Sequence, residues 1–274
     1  MTTGTTPSFP ERYSYTGTQF SGGQAEVFVC SDSLLERKVA IKVIKNISDL
    51  PAFYQEIAAI QDISSRHIAE IYDLISNAKD GHPGLVEEYV PGYPLTEFPD
   101  ANVTLDGYLK ALYQIACGIA DMHAHNKIHR DIKPANMKFD DENIIKILDF
   151  GITCDIDPSV ETIAARGTLG FRAPELYSPP ITVTPAVDVY AFGATAWYLA
   201  TKTLPPALLE IPPISKQTAP SFSDLPLKLA QDIVAVLDNT LSVEPSARPL
   251  MGTVRDVIKD RLLFGAHKAE FTYG

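Results

Sequence analysis

Cysteine is scarce in this 274-residue chain: Cys30, Cys117 and Cys154 are far apart and form no Cys-x-x-Cys pair. An odd, scattered set argues against a disulfide framework or a zinc site, and it fits free thiols in a reducing compartment. Positive charge is short as well. With 23 Lys and Arg against 34 Asp and Glu, the net charge of −11 argues against a general nucleic-acid binder. An acidic whole still leaves room for a local basic pocket, so a nucleotide substrate stays open. Long apolar runs are also missing. No stretch offers the ~18 uninterrupted apolar residues of a membrane span, and the start "MTTGTTPSFPERY" has no apolar signal region. The expectation is a cytoplasmic chain with no membrane contact from this segment, either whole or a soluble piece of something longer.

What is present suffices for a core: 45% of residues are hydrophobic and 21% charged. Residues 1–12 read as a flexible arm. From Tyr15 to Val43 the pattern is strand-like, through "YSYTGTQF", "AEVFVCSD" and "RKVAIKVI". Asp49 to Ser64 reads as a helix, with Ile57, Ile60 and Ile63 on one face. "AEIYDLI" and "PGLVEEYV" are further strands, separated by the turn-forming "NAKDGHPG". The texture then changes. Leu105, Leu109, Leu112, Ile115, Ile119 and Met122 fall three and four apart and predict a long helix, and helical patterns dominate again from about Val187. A sheet-rich part thus precedes a helical one, with a boundary near Pro91 to Pro99.

Two stretches carry chemistry. "HRDIKPAN" supplies Asp131, Lys133 and Asn136, and "DFG" supplies Asp149 at the end of an apolar strand. Phosphoryl transfer needs a carboxylate for the hydroxyl proton, a cation for the moving phosphate and oxygen ligands for Mg²⁺. An isolated "DFG" is more often a turn, so the order of motifs decides.

That order resembles the protein kinase family from about Tyr15 to Leu263, most closely the bacterial serine/threonine (Hanks-type) members. "VAIK" matches the phosphate-anchoring strand, "YQEI" supplies the helix glutamate Glu56, and "GTLGFRAPE", "DVYAFG" and "ARP" follow in family order. The resemblance implies an α+β, two-lobed fold. It sets a catalytic domain over 13–265, with a sheet lobe at about 13–90, a hinge at about 88–94, a helical lobe at about 95–265 and a tail over 266–274. It also implies the cofactors ATP and Mg. Asp131, Lys133, Lys42 and Glu56 would be catalytic, with Lys42 on the α- and β-phosphates and paired with Glu56. Gly22, Gly23, Val27, Ala40, Lys42, Glu88, Asn136 and Asp149 would bind the nucleotide, and Asn136 and Asp149 the metal.

Other family roles follow. His129 packs on Phe150, Asp188 holds the catalytic loop from beneath, and Glu175 pairs with buried Arg248. His123 and His125 read as helix-end residues. Lys133, with Thr168 supporting it, favours Ser/Thr hydroxyls on a protein substrate. Ser159, Thr162 and Thr168 are phosphorylation candidates, the first two placed to pair with Arg130 once modified.

The chain also departs from the family. Glycine is expected at Phe20, Gly22 and Ala25 of "FSGGQAEV", and only the middle one is kept. Glu87 stands where the family has an apolar residue or Thr, and Lys138 where the pocket floor is apolar. Either the two pair, or Lys138 extends outward while Glu87 turns toward the helix side. Ala135 replaces a Glu that many basic-residue-directed kinases carry. These departures motivate the alternative of a pseudokinase acting as a nucleotide-binding or scaffold module. A small-molecule phosphotransferase fits less well, because "APE", Asp188 and Arg248 belong to the protein kinases.

Overall fold

The run "RKVAIKVI" forms strand β3 (Arg37–Ile44), and its apolar side chains bury on both faces: Val39, Ala40, Ile41, Val43 and Ile44 are all in the core. A strand that central reads as a nearly continuous apolar run rather than an alternation. A computed structural model of the chain describes residues 9–21, 25–98, 104–151, 153–156, 167–177, 181, 183–204 and 220–270, without the side chains at 52, 56, 59 and 264–270. The described residues fall into two units. One takes in the chain up to Ser64 together with Ala69–Pro91, and the other Ser65–Ile68 and the chain from Gly92 on.

The first unit is an antiparallel sheet in the order β1-β2-β3-β5-β4, made by β1 (Tyr13–Ser21), β2 (Ala25–Asp32), β3, β4 (Ile71–Lys79) and β5 (His82–Glu88). Tyr13, Phe28, Cys30, Val39, Ile41, Val43, Ile75, Ala78 and Val86 form one core cluster, with Phe9, Tyr15 and Tyr72 packed against it. Ile44, Leu85 and Phe53 form another, and Phe53 comes from the helix α1 (Leu50–Ile60). Phe9 and Arg12, read from sequence as part of an arm, are held: Phe9 meets the Phe28 ring at 5.4 Å, and Arg12 makes bonds of 2.8 and 2.7 Å to Asp32. The Arg12 guanidinium holds the Asp32 carboxyl down at about 2.

Two stretches differ from the expected pattern. Helix α1 stops at Ile60, short of the expected Ser64, and Ser65–Ile68 joins the second unit. "NAKDGHPG" is largely strand, with Lys79 facing His82 across a two-residue turn at Asp80 and Gly81, whose φ values of 53° and 85° suit that turn.

The second unit is mostly helical. Helix α2 (Leu105–Ala124) is capped by Thr104, which accepts from the Gly107 N–H at 3.1 Å, and it buries Leu109, Leu112, Ile115, Ile119 and Met122 of the predicted stripe, while Leu105 in its first turn is exposed. Helix α3 (Ala186–Thr201) is buried along most of its length. The buried Tyr108 hydroxyl donates to the Ala196 carbonyl at 2.9 Å and fixes α2 to α3. Gly193 lets α4 (Gln231–Thr240) approach, since a Cβ there would stand 2.1 Å from the Thr240 hydroxyl. Helix α5 (Met251–Glu270) packs on α2 and α4. Two short antiparallel pairs join β6 (Lys127–Ile128) to β9 (Cys154–Asp155) and β7 (Met137–Phe139) to β8 (Ile145–Ile147). The Ile147 N–H donates to the His67 carbonyl at 2.9 Å, which ties Ser65–Ile68 to β8. The expected two-lobed α+β architecture is what the chain adopts. Among the described residues, no helix is long and apolar enough to cross a membrane.

Candidate active site

The loop from His129 to Asn136 links β6 to β7 and is fixed from below by Asp188, in the first turn of α3. Asp188 is fully buried and accepts from the backbone N–H groups of His129 and Arg130, both at 2.8 Å, and from His123 Nε2 at 3.0 Å. Burial alone would raise its pKa, but the His123 hydrogen bond, the nearby His123 and His129 and the backbone donor outweigh that and lower it. Arg130 takes a left-handed φ of 67° at this bend. The His129 ring lies 5.2 Å from the Phe150 ring, accepts from the Asp131 N–H at Nδ1 and donates from Nε2 to the Leu148 carbonyl. Those two bonds select the tautomer with its proton on Nε2.

Among the described residues, donors face both oxygens of the Asp131 carboxylate. Oδ1 accepts from the Thr168 hydroxyl at 2.8 Å and its N–H at 3.1 Å, and Oδ2 accepts from Lys133 Nζ at 2.6 Å and Asn136 Nδ2 at 2.9 Å. Lys133 also donates to the Thr168 hydroxyl at 2.6 Å. Burial would raise the Asp131 pKa, and these bonds more than offset it, so the group is held below its ordinary value and ionised near neutrality. Thr168 arrives through Gly167, whose φ is 107° and where a Cβ would stand 2.7 Å from the Arg130 carbonyl. Only glycine fits there.

Asn136 is buried, and its side-chain N–H₂ bonds both the carbonyl and the carboxylate of Asp131, which leaves Oδ1 as the atom turned away. The Leu148 N–H donates to the Asn136 carbonyl at 2.8 Å, which holds Asn136 beside the residue before Asp149. Asp149 has a left-handed φ of 60°. The expected Glu175–Arg248 pair is present, with bonds of 2.6 and 2.8 Å. Arg248 sends its remaining N–H groups to the carbonyls of Ser242, Ala186 and Val243. All five guanidinium donors are used.

In the sheet unit, Lys42 faces Val27 on β2 and Leu85 on β5, while Ala40 faces Val29 and Glu87. Phe20 lies inside β1 opposite Val27 and is 54% exposed. Glu88 ends β5, where its N–H donates to the Glu70 carbonyl at 2.8 Å. Glu56 falls within α1, but its side chain lies outside the described residues, as do Gly22, Gly23, Ser159 and Thr162. Lys138, on β7, faces Lys146 on β8, and burial lowers its pKa. The partner His123 gives Asp188 was not read from the sequence, because the two are 65 residues apart and no local pattern links them.

The family described as "Protein kinase domain" matches residues 19–260. The chain belongs to the protein kinase family. Among its relatives, PrkC, a serine/threonine-protein kinase of Bacillus subtilis (strain 168), is 32% identical over 67% of this chain and 29% of its own length. A serine/threonine-protein kinase of Corynebacterium efficiens, drp72, is 33% identical over 64% of this chain and 36% of its own. The maternal embryonic leucine zipper kinase of Xenopus laevis is 27% identical over 83% and 36%. The chain is of the Hanks type, like the bacterial members, and spans about a third of the length of these relatives.

Kinases act with ATP and Mg²⁺, and the donor set suits that cation. Hard Mg²⁺ takes carboxylate and amide oxygens and leaves other positions to water and phosphate. Asn136 Oδ1 and the Asp149 carboxylate are donors of that kind, linked through the Leu148–Asn136 bond. Among the described residues, no cluster of three or more His, Cys, Asp or Glu forms an all-protein metal cage.

Proposed function

We propose that the domain transfers the γ-phosphate of ATP to serine or threonine hydroxyls of a protein substrate, itself included. The observation that carries this reading is the Asp131 carboxylate, kept ionised and aimed by Lys133, Asn136 and Thr168. Asp131 orients the acceptor hydroxyl and takes its proton, and Lys133 steadies the transferring phosphate. Lys42 holds the α- and β-phosphates, with Glu56 as its partner on α1. Val27, Ala40, Glu88 and the glycines Gly22 and Gly23 bound the nucleotide. Asn136 and Asp149 would hold Mg²⁺, which would supply positive charge to offset that of the phosphates. The residues of 13–265 make up the catalytic domain in this reading, and the chain works in the cytoplasm. Phosphorylation at Ser159 or Thr162 would place a dianion for Arg130.

The test is purified protein with Mg²⁺ and radiolabelled ATP, wild type beside Asp131→Asn and Lys42→Met. Labelling by wild type alone supports the reading. If wild type labels neither itself nor a general protein substrate, and shows no nucleotide-dependent thermal shift, the pseudokinase alternative takes its place.

A further inference from the structure

The sheet puts two opposite charges on one face. Lys42 stands opposite Val27 and Leu85, and Glu87 stands opposite Ala40. Facing residues of an antiparallel pair project to the same side, and the period along a strand is two. Ala40, Lys42, Leu85 and Glu87 therefore share a face. Lys42 and Glu87 are diagonal neighbours there, roughly 7–8 Å apart at the backbone in such a sheet and within reach of two long side chains. Both are half-buried. The other residues of these rows, Val27, Val29, Ala40 and Leu85, are apolar, and Leu85 is sealed against Phe53 and Ile44. A carboxylate on such a surface is stabilised by a nearby cation, and Lys42 is the cation those rows supply.

We propose that Glu87 is a positioning residue for Lys42: its carboxylate receives the ammonium and sets its direction along the sheet face. The inference rests on the kinase reading for what Lys42 then does, namely hold the phosphates of ATP. Its consequence is mechanical. A partner on α1 moves whenever that helix moves, whereas Glu87 sits on β5, hydrogen-bonded to the strand that carries Lys42. Lys42 thus keeps an anchor independent of α1, and the acidic residue at an otherwise apolar position acquires a role in the site.

The experiment uses the full chain with Glu87→Gln and Glu87→Asp, and follows binding of MgATP by fluorescent-nucleotide displacement. Glu87→Gln should weaken binding about tenfold, the size of one hydrogen bond to a charged group, and Glu87→Asp should recover most of it. In a Lys42→Met background, Glu87→Gln should add nothing; in a Lys138→Met background it should keep its full effect. The second readout needs no nucleotide. With ¹³C-labelled lysines followed by NMR, the Lys42 titration midpoint should fall by about one pH unit in Glu87→Gln, because a nearby carboxylate favours the ammonium. An unmoved Lys42 titration overturns the proposal. So does an effect that survives Lys42→Met and vanishes with Lys138→Met, which would make Lys138 the partner. If wild type fails to bind MgATP while the Lys42 titration still responds to Glu87, the pairing stands and the kinase reading falls.

Discussion

The two units carry their chemistry in different ways. In the helical unit the loop around Asp131 is held almost atom by atom: Asp188 fixes its start, and Thr168, Lys133 and Asn136 fix the carboxylate. The residues there are the ones phosphoryl transfer needs, and each has a partner that explains it. In the sheet unit the framework is regular, but the face bearing Lys42 also carries Phe20 in the Val27 row and Glu87 in the Ala40 row. The contrast shows where this chain has room to vary. A loop whose central carboxylate is bonded on both oxygens tolerates little change, whereas a sheet face accepts new side chains as long as its hydrogen-bond ladder is kept.

The sharpest way to break that contrast is inside the loop. Asp131→Asn keeps the shape and, on the proposed function, removes the base, so phosphotransfer should fall by about 10²–10⁴-fold with the fold retained. Label transfer and a melting curve on the same sample check both halves. Next comes the buried pair that supports the helical unit. Glu175→Gln leaves the Arg248 guanidinium, whose side chain is fully buried, short of its counter-charge, and should cost about 3–5 kcal/mol by denaturant titration. A loss below about 1 kcal/mol would mean that the carbonyls of Ser242, Ala186 and Val243 suffice for Arg248.

Acid should act on the same unit through Asp188. Burial opposes its ionisation, and the bonds from His123 and the loop backbone outweigh burial, so the folded pKa lies below the unfolded one. The sign follows from linkage. Asp188 contributes its full stabilisation above the ordinary carboxylate pKa of ~3.9, and loses it as pH falls from there through the lowered folded value. Stability of the wild type, followed by urea titration between pH ~6 and ~3, should drop with a slope that Asp188→Asn flattens. Equal slopes in the two proteins would remove Asp188 from the acid response.

Much of this was legible in the sequence, for identifiable reasons. The stripe on α2 and the run of β3 mark their own burial. Asp131, Lys133, Asn136 and Asp149 sit in motifs short enough to recognise. The end of α1 was hidden because Ser65 and His67 answer to Asp121, Ile145 and Ile147, partners 56 or more residues away. "NAKDGHPG" misled because turn-forming residues fill it, although only Asp80 and Gly81 make the turn. Glu87 could be recognised as odd from sequence, but its neighbours on the face of Lys42 depend on strand register, which no local pattern fixes.

The smallest expected effect tests how that register is set. Between Tyr15 and Gln19 the β1–β2 pairing shifts, and Gly17, with a φ of 92°, lies in the irregular stretch. The Thr16 hydroxyl donates to the Val29 carbonyl at 2.8 Å and closes it. Beyond this bulge Phe20 meets Val27; without the shift it would face Ala25, two residues along β2 and ~7 Å away. Nothing lies within 4 Å of a Cβ built on Gly17, so Gly17→Ala meets no steric obstacle and its cost is that of the backbone alone. That cost should be about 1 kcal/mol. Hydrogen exchange should show it as faster opening of β1 and β2, with α2 and α3 unchanged. If exchange accelerates equally in both units, the bulge is not a local device of the sheet but part of a single cooperative structure.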